Sequence, residues 1–129
     1  MTTVLIVIAG SIGCVARWLI EEIAQRRGAS HRPFATMAVN ILGAIVTGFV
    51  IYLAAHAQWS APQRHPFSVN TEPVILTGFC GGFTTFSSAL AIPYLDWREG
   101  NRLRAGVLIG ATPILCILGL LFGEALANL

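Results

Sequence analysis

Lysine is missing from this sequence, and charge of either sign is scarce. Eight basic residues, all arginine, and six acids make up 11% of 129 residues. A soluble domain usually carries about 25% charged residues, and a globule this short has a large surface to coat. So few charges exclude a water-soluble monomer, while 55% hydrophobic residues exclude a disordered chain. The net charge of +2 is too small, and the arginines too clustered, for a nucleic-acid surface, so no nucleic acid is expected as a partner. Paired cysteines are lacking too. Cys14, Cys80 and Cys116 lie far apart inside apolar runs, which argues against a disulfide framework or a zinc site and reads as small buried hydrophobes. No nucleophile–base pair or metal-ligand cluster is visible, so no enzyme is expected. The Met1-Thr2-Thr3 start has no basic residue and no A-x-A site follows, so the first apolar run reads as a retained helix and not a cleaved leader.

What the sequence has in abundance is apolar runs, with a mean hydropathy of +0.72. A membrane-spanning helix needs about 20 mostly apolar residues. Four runs qualify, over about 4–23, 34–55, 73–95 and 105–127. The expected fold is an all-α membrane protein with four transmembrane helices in one domain, 1–129, embedded in lipid. The connections carry nearly all the charge, and His31, His56 and His65 read as solvated loop residues. Pro62, Pro66 and Pro73 mark the second connection as non-helical. Arg26, Arg27, Arg32, Arg98, Arg102 and Arg104 fall in the first and third connections, against Arg64 in the second. The positive-inside rule then places the first and third connections in the cytoplasm and both termini outside.

Polar residues inside spans are costly and functional by default. Gly10 and Gly13 offer small surfaces for close helix approach. Arg17 either snorkels beside Glu21 at i+4 or lines a cationic vestibule that concentrates an anion. Asn40 either glues helices or serves a path, since its amide offers two donors and an acceptor. The segment Thr77-Gly78-Phe79-Cys80-Gly81-Gly82-Phe83-Thr84-Thr85-Phe86-Ser87-Ser88 is rich in poor helix formers. It predicts a third helix broken near the bilayer midplane, or a flexible helix packed through its glycines. A break frees carbonyls suited to a small cation and N–H groups suited to an anion. In the fourth span Pro113 frees a carbonyl one turn earlier, and Thr112 either satisfies it or lines a path.

Three segments in order resemble the signatures of the CrcB/Fluc fluoride channels. They are Gly10-x-x-Gly13-x-x-x-Arg17-Trp18, Pro33-x-x-Thr36-x-x-Val39-Asn40-x-x-Gly43 and Gly78-Phe79-Cys80-Gly81-Gly82-Phe83-Thr84-Thr85-Phe86-Ser87. Length and the four-span plan match across nearly the whole chain. The resemblance implies an antiparallel dimer with two narrow fluoride pathways along the subunit interface. It implies broken third helices that meet at the centre around a structural Na+ held by backbone carbonyls, here those of Gly81 and Thr84. By the same resemblance the pathway residues are Asn40, Phe86, Ser87 and Ser88, with Thr112 a loose match to a fourth-helix serine. The implied activity is passive fluoride efflux across the bacterial plasma (inner) membrane. Fluoride arrives as HF, dissociates inside, is trapped as an anion and leaves through a selective channel. A bulky residue at Gly81 is expected to prevent the turn at the cation site.

The chain departs from that pattern at named positions. Ala89 stands where the family commonly has a second Phe, Ala35 where it has a glycine, and no Tyr follows Tyr94. The six-to-one arginine bias also differs from the balance that a dual-topology homodimer needs. An alternative is therefore a non-conducting or half-conducting subunit of a heterodimer whose paralogue inserts the opposite way. A small multidrug-type exporter is a further alternative, but it needs a carboxylate deep in the first helix, and Glu21 and Glu22 lie at the end of theirs.

Overall fold

The computed structural model describes residues 1–28, 31–56 and 71–129. Among them all regular structure is helical. Four helices are long and apolar enough to cross a membrane: Thr2–Arg26, Arg32–His56, Thr71–Arg98 and Arg102–Ala127. We label Thr2–Arg26 α1, Arg32–His56 α2, residues 71–83 α3, Phe86–Arg98 α4 and Arg102–Ala127 α5. α3 and α4 together form the third span.

The helices outrun the apolar stretches because their ends gain local support. α1 continues past Ile23 to Arg26, whose Nε lies 2.9 Å from Glu22 Oε1, a pair at the i,i+4 spacing that steadies a last turn. The third span begins before Pro73, which sits in the first turn, where its missing N–H leaves nothing unpaired. Pro73 is thus helical and not part of the connection. Pro62, Arg64, His65 and Pro66 lie outside the described residues. α4 stops where Gly100 takes φ 94°, a left-handed conformation that favours glycine, and the Asn101 N–H turns back to the Asp96 carbonyl at 2.9 Å. His56 is not a loop residue but the last residue of α2, its ring stacked on Tyr52 at 4.0 Å. The Tyr52 hydroxyl donates to the Asn128 side chain. This ties the end of α5 to the end of α2, so the termini share one end of the bundle and the arginine-rich connections the other.

Lipid gives no hydrophobic drive for helix pairing, so small residues must let backbones approach. α1 packs on α3 in this way. A Cβ on Gly13 would lie 2.8 Å from the Phe83 nitrogen, one on Gly78 2.9 Å from the Ile6 carbonyl oxygen, and one on Gly82 would collide with the Gly10 carbonyl. α2 packs chiefly on α5, where Gly48, Gly119 and Gly123 allow the same closeness. α4 also packs on α5. The third span therefore divides its neighbours, α3 lying on α1 and α4 on α5. Val39, Thr36 and Ala105 are the most deeply buried side chains. α1 buries only Gly13 and Glu21. Of the cysteines, Cys80 is buried, Cys116 half-buried, and Cys14 faces outward, against the expectation of burial.

α3 is mostly π-helical, with i→i+5 spacing over Val74–Cys80, and closes with an α-helical Gly81–Phe83. Thr84 (φ −82°, ψ 158°) and Thr85 (φ −149°, ψ 121°) are extended, and helix resumes at Phe86. The axis of the joined span bends by 17°. The interruption is a two-residue step in a nearly straight span.

Candidate functional site

An extended step inside a membrane-length span leaves backbone groups without helical partners, and each must be satisfied or face a cavity. Asn40 of α2 meets this need at Thr85. Its Nδ2 donates to the Thr85 carbonyl at 3.0 Å, and its Oδ1 accepts the Thr85 N–H at 2.8 Å. The side chain thus pairs with a peptide unit as a neighbouring strand would. Gly43, one turn on, must stay small because a Cβ there would collide with the Thr84 methyl.

The threonines do different work. Thr84 turns inward along its own chain, its Oγ1 and N–H both donating to the Cys80 carbonyl at 2.8 and 2.9 Å. Thr85 caps α4, its Oγ1 accepting the Ser88 N–H at 3.3 Å. The Ser87 and Ser88 hydroxyls lie 3.1 and 3.4 Å from that same oxygen. Three hydroxyls thus gather at the N-terminus of a 13-residue helix, the end that favours negative charge.

These bonds redirect two donors. The Thr85 N–H, which would serve the Gly81 carbonyl in a continuous helix, goes to Asn40, and the Ser88 N–H, which would serve Thr84, goes to Thr85 Oγ1. The carbonyls of Gly81 and Thr84 are left without helical donors. Among the described residues no three His, Cys, Asp or Glu side chains gather, so neutral carbonyl oxygens such as these are the hard ligands on offer to a small cation. Gly81 itself has ordinary helical angles (φ −62°, ψ −35°), and a Cβ would meet nothing nearer than the Leu76 oxygen at 3.8 Å. Within the subunit the backbone there does not require glycine.

Asn40, Thr84, Thr85, Phe86, Ala89 and Thr112 line one largely apolar cavity of about 480 Å³. The structure thus brings Asn40, Phe86 and Thr112 together. Phe86 is 80% exposed. Thr112 donates to the Leu108 carbonyl at 2.7 Å, and so does not satisfy the Ile109 carbonyl that Pro113 frees. Ser88 lines a second void of about 10 Å³, shared with Thr36, Ala89 and Thr112. Ser87 lines neither. Arg17 lies apart, half-buried, its Nε donating to the Gly82 carbonyl at 3.4 Å. Glu21 is not its partner. That carboxylate is buried and accepts the Thr36 hydroxyl at 3.0 Å.

Sequence reasoning missed Glu21 and Thr36 as a pair. A signal was present: Thr36 stands one turn before Asn40, and Glu21 lies on the last turns of an apolar span.

The family model described as "CrcB-like protein, Camphor Resistance (CrcB)" matches residues 4–124. The "Fluoride-specific ion channel FluC" of Chlorobaculum tepidum is 36% identical over 130 residues, covering 100% of this chain and 97% of that protein. The "Fluoride-specific ion channel FluC 2" of Cutibacterium acnes is 35% identical over 129 residues, covering 96% and 98%. The "Fluoride-specific ion channel FluC" of Methylobacterium radiotolerans is 32% identical over 127 residues, covering 98% and 84%. With a match over nearly its whole length, and four helices fit to cross a membrane, the chain belongs to the CrcB-like protein family.

Proposed function

We propose that this chain is a fluoride-selective channel subunit that gives passive fluoride efflux across a bacterial plasma membrane, both termini outside. The observation that carries this reading is the shared cavity of Asn40, Phe86 and Thr112 beside the extended Thr84–Thr85 step. A small anion stripped of water needs donors without a fixed full charge, so that it is held and still released. Asn40 spends one Nδ2–H on Thr85 and keeps the other. The first N–H groups of α4 have no intrahelical acceptor, and Ser87 and Ser88 add hydroxyls beside them. The exposed Phe86 ring offers the positive edge of its quadrupole. Arg17 would raise the local anion concentration at a vestibule.

The carbonyls of Gly81 and Thr84 would hold a Na+ together with the same pair from an antiparallel second subunit. That ion would fix the two third spans against each other. Each subunit then supplies its own Asn40 clip, hydroxyl cluster and Phe86 to a pathway along the interface.

One observation favours a second reading, in which the partner is a paralogue of opposite orientation. Ala89, standing where the family commonly has a second Phe, lines the same cavity as Phe86. Ala89 and the six-to-one arginine bias both fit a subunit completed by another chain. Fluoride efflux from liposomes holding this protein alone, with the charge clamped by potassium and valinomycin, separates the readings. Rapid efflux that excludes chloride supports the self-assembled channel. Silence from folded protein, with flux recovered on co-expression of an oppositely biased paralogue, supports the heterodimer. Silence in both preparations overturns the fluoride reading.

A further inference from the structure

The extended step at Thr84 and Thr85 takes helical donors from more carbonyls than those of Gly81 and Thr84. In a continuous helix the Gly82 carbonyl would accept the Phe86 N–H, which here lies beyond the step. Arg17 of α1 serves that carbonyl instead, its Nε donating at 3.4 Å. The contact follows from packing. Gly10, Gly13 and Arg17 stand at i, i+3 and i+7, so they share one face of α1. The backbones of α1 and α3 run so close there that a Cβ on Gly13 or Gly82 would collide with the facing main chain. The arginine follows one turn after Gly13 and reaches the Gly82 oxygen.

The neighbouring peptide is that of Gly81, whose carbonyl would hold Na+ together with that of Thr84. Gly81–Phe83 is α-helical, so its carbonyls point the same way along the axis. Successive oxygens in such a turn lie about 3.5 Å apart, which puts a guanidinium nitrogen within about 7 Å of the Gly81 oxygen. That guanidinium is charged at every working pH. Among the described residues the two ion pairs join Arg26 to Glu22 and Arg104 to Asp96, so no carboxylate neutralises Arg17 by contact. We infer that Arg17 sets the Na+ affinity of the dimer centre, its fixed positive charge beside the Gly81–Gly82 carbonyls weakening their hold on the ion. The inference rests on the Na+ reading of Gly81 and Thr84 and deepens it.

The size of the effect follows from Coulomb's law. Two unit charges about 7 Å apart, at an effective dielectric constant of about 20, alter an affinity by roughly fiftyfold. Arg17 is half-buried, and salt screens the exposed part of its field, so a change of about tenfold is expected. The same charge that would draw anions to the vestibule thus weakens the dimer's grip on its cation.

The test needs no fluoride flux. Protein in detergent, in whichever preparation assembles, alone or with a paralogue, is dialysed into N-methylglucamine chloride and titrated with NaCl at constant ionic strength. Dimer content by size-exclusion chromatography and melting temperature are read at each step. Wild type should gain dimer and stability as Na+ rises. Two variants remove the charge: Arg17→Gln, which keeps a donor, and Arg17→Met, which keeps an apolar stem in the packing. In both, the Na+ midpoint should fall by about tenfold. Arg17→Lys keeps the charge and should stay near the wild-type midpoint. Neutral variants with a midpoint equal to or above that of wild type overturn the inference and leave the Na+ site standing. A lysine variant shifted as far as the neutral ones does the same, since the bond to Gly82 and not the charge would then be at work. A wild type indifferent to Na+ overturns the Na+ reading and this inference with it, and leaves the fluoride reading to the efflux assay.

Discussion

Replacing Asn40 by aspartate barely alters the size of the side chain but removes one of its hydrogen bonds. In the wild-type chain Nδ2 donates to the Thr85 carbonyl at 3.0 Å and Oδ1 accepts the Thr85 N–H at 2.8 Å. In Asn40→Asp one carboxylate oxygen keeps the N–H. The other stands where Nδ2 stood and faces the carbonyl, acceptor against acceptor. The lost bond costs about 1 kcal/mol, and the unsatisfied carbonyl about 1–3 kcal/mol more. The site is 8% exposed, so the added charge is also desolvated. A deficit of at least about 2 kcal/mol is expected at neutral pH, roughly thirtyfold in the folding equilibrium. The neutral acid restores a donor at that atom, so the folded variant binds the proton more tightly than the unfolded chain does. Its deficit is therefore smallest in acid and grows as pH rises. Thermal unfolding in detergent across pH reads this directly, with Asn40→Leu as the control that lacks both bonds and titrates nothing there. Fluoride efflux by Asn40→Asp should fail at neutral pH. A deficit as flat with pH as that of Asn40→Leu, or none at all, would refute the clip.

Other perturbations sort packing from pathway. Gly13→Ala pushes a Cβ against the backbone of residues 79–83 and should cost about 1–3 kcal/mol in thermal unfolding, with flux lost in proportion to folded protein. Gly81→Ala meets open space within the subunit, so its melting as a dissociated monomer should match wild type, and any defect should appear as weaker dimerisation on size-exclusion chromatography. Thr85→Ala removes the cap of α4 and should cost about 1 kcal/mol, and Thr85→Ser should recover most of it. Phe86→Ala, at a side chain 80% exposed, should leave subunit stability unchanged while fluoride efflux falls.

The four spans were legible because hydropathy is additive along a chain and needs no knowledge of contacts. Their ends were less so, since pairs such as Glu22–Arg26 carry a helix past its apolar stretch. The glycine- and threonine-rich segment announced a departure from α-helix, and the departure falls on Thr84 and Thr85. Its π-helical approach was not legible, because i→i+5 and i→i+4 spacing are built from the same residues. Asn40 stood out as a polar residue in an apolar run. That it grips Thr85, 45 positions away, is a property of helix placement and not of local sequence. Arg17 illustrates the same limit. Spacing offered Glu21 as its partner, but packing gave it a backbone carbonyl and gave Glu21 the Thr36 hydroxyl.

The division of the third span between two neighbours bears on the order in which the chain assembles. α3 rests on α1, which the ribosome has already delivered. α4 rests on α5, and so, chiefly, does α2. Two of the segments that precede α5 thus wait for it to complete their packing. A nascent chain halted before Arg102 would hold α1 and α3 together, with α2 joined to them through the Asn40–Thr85 and Thr36–Glu21 bonds but lacking its main neighbour. Arrival of α5, more than insertion of any earlier helix, is the event that completes the four-helix packing.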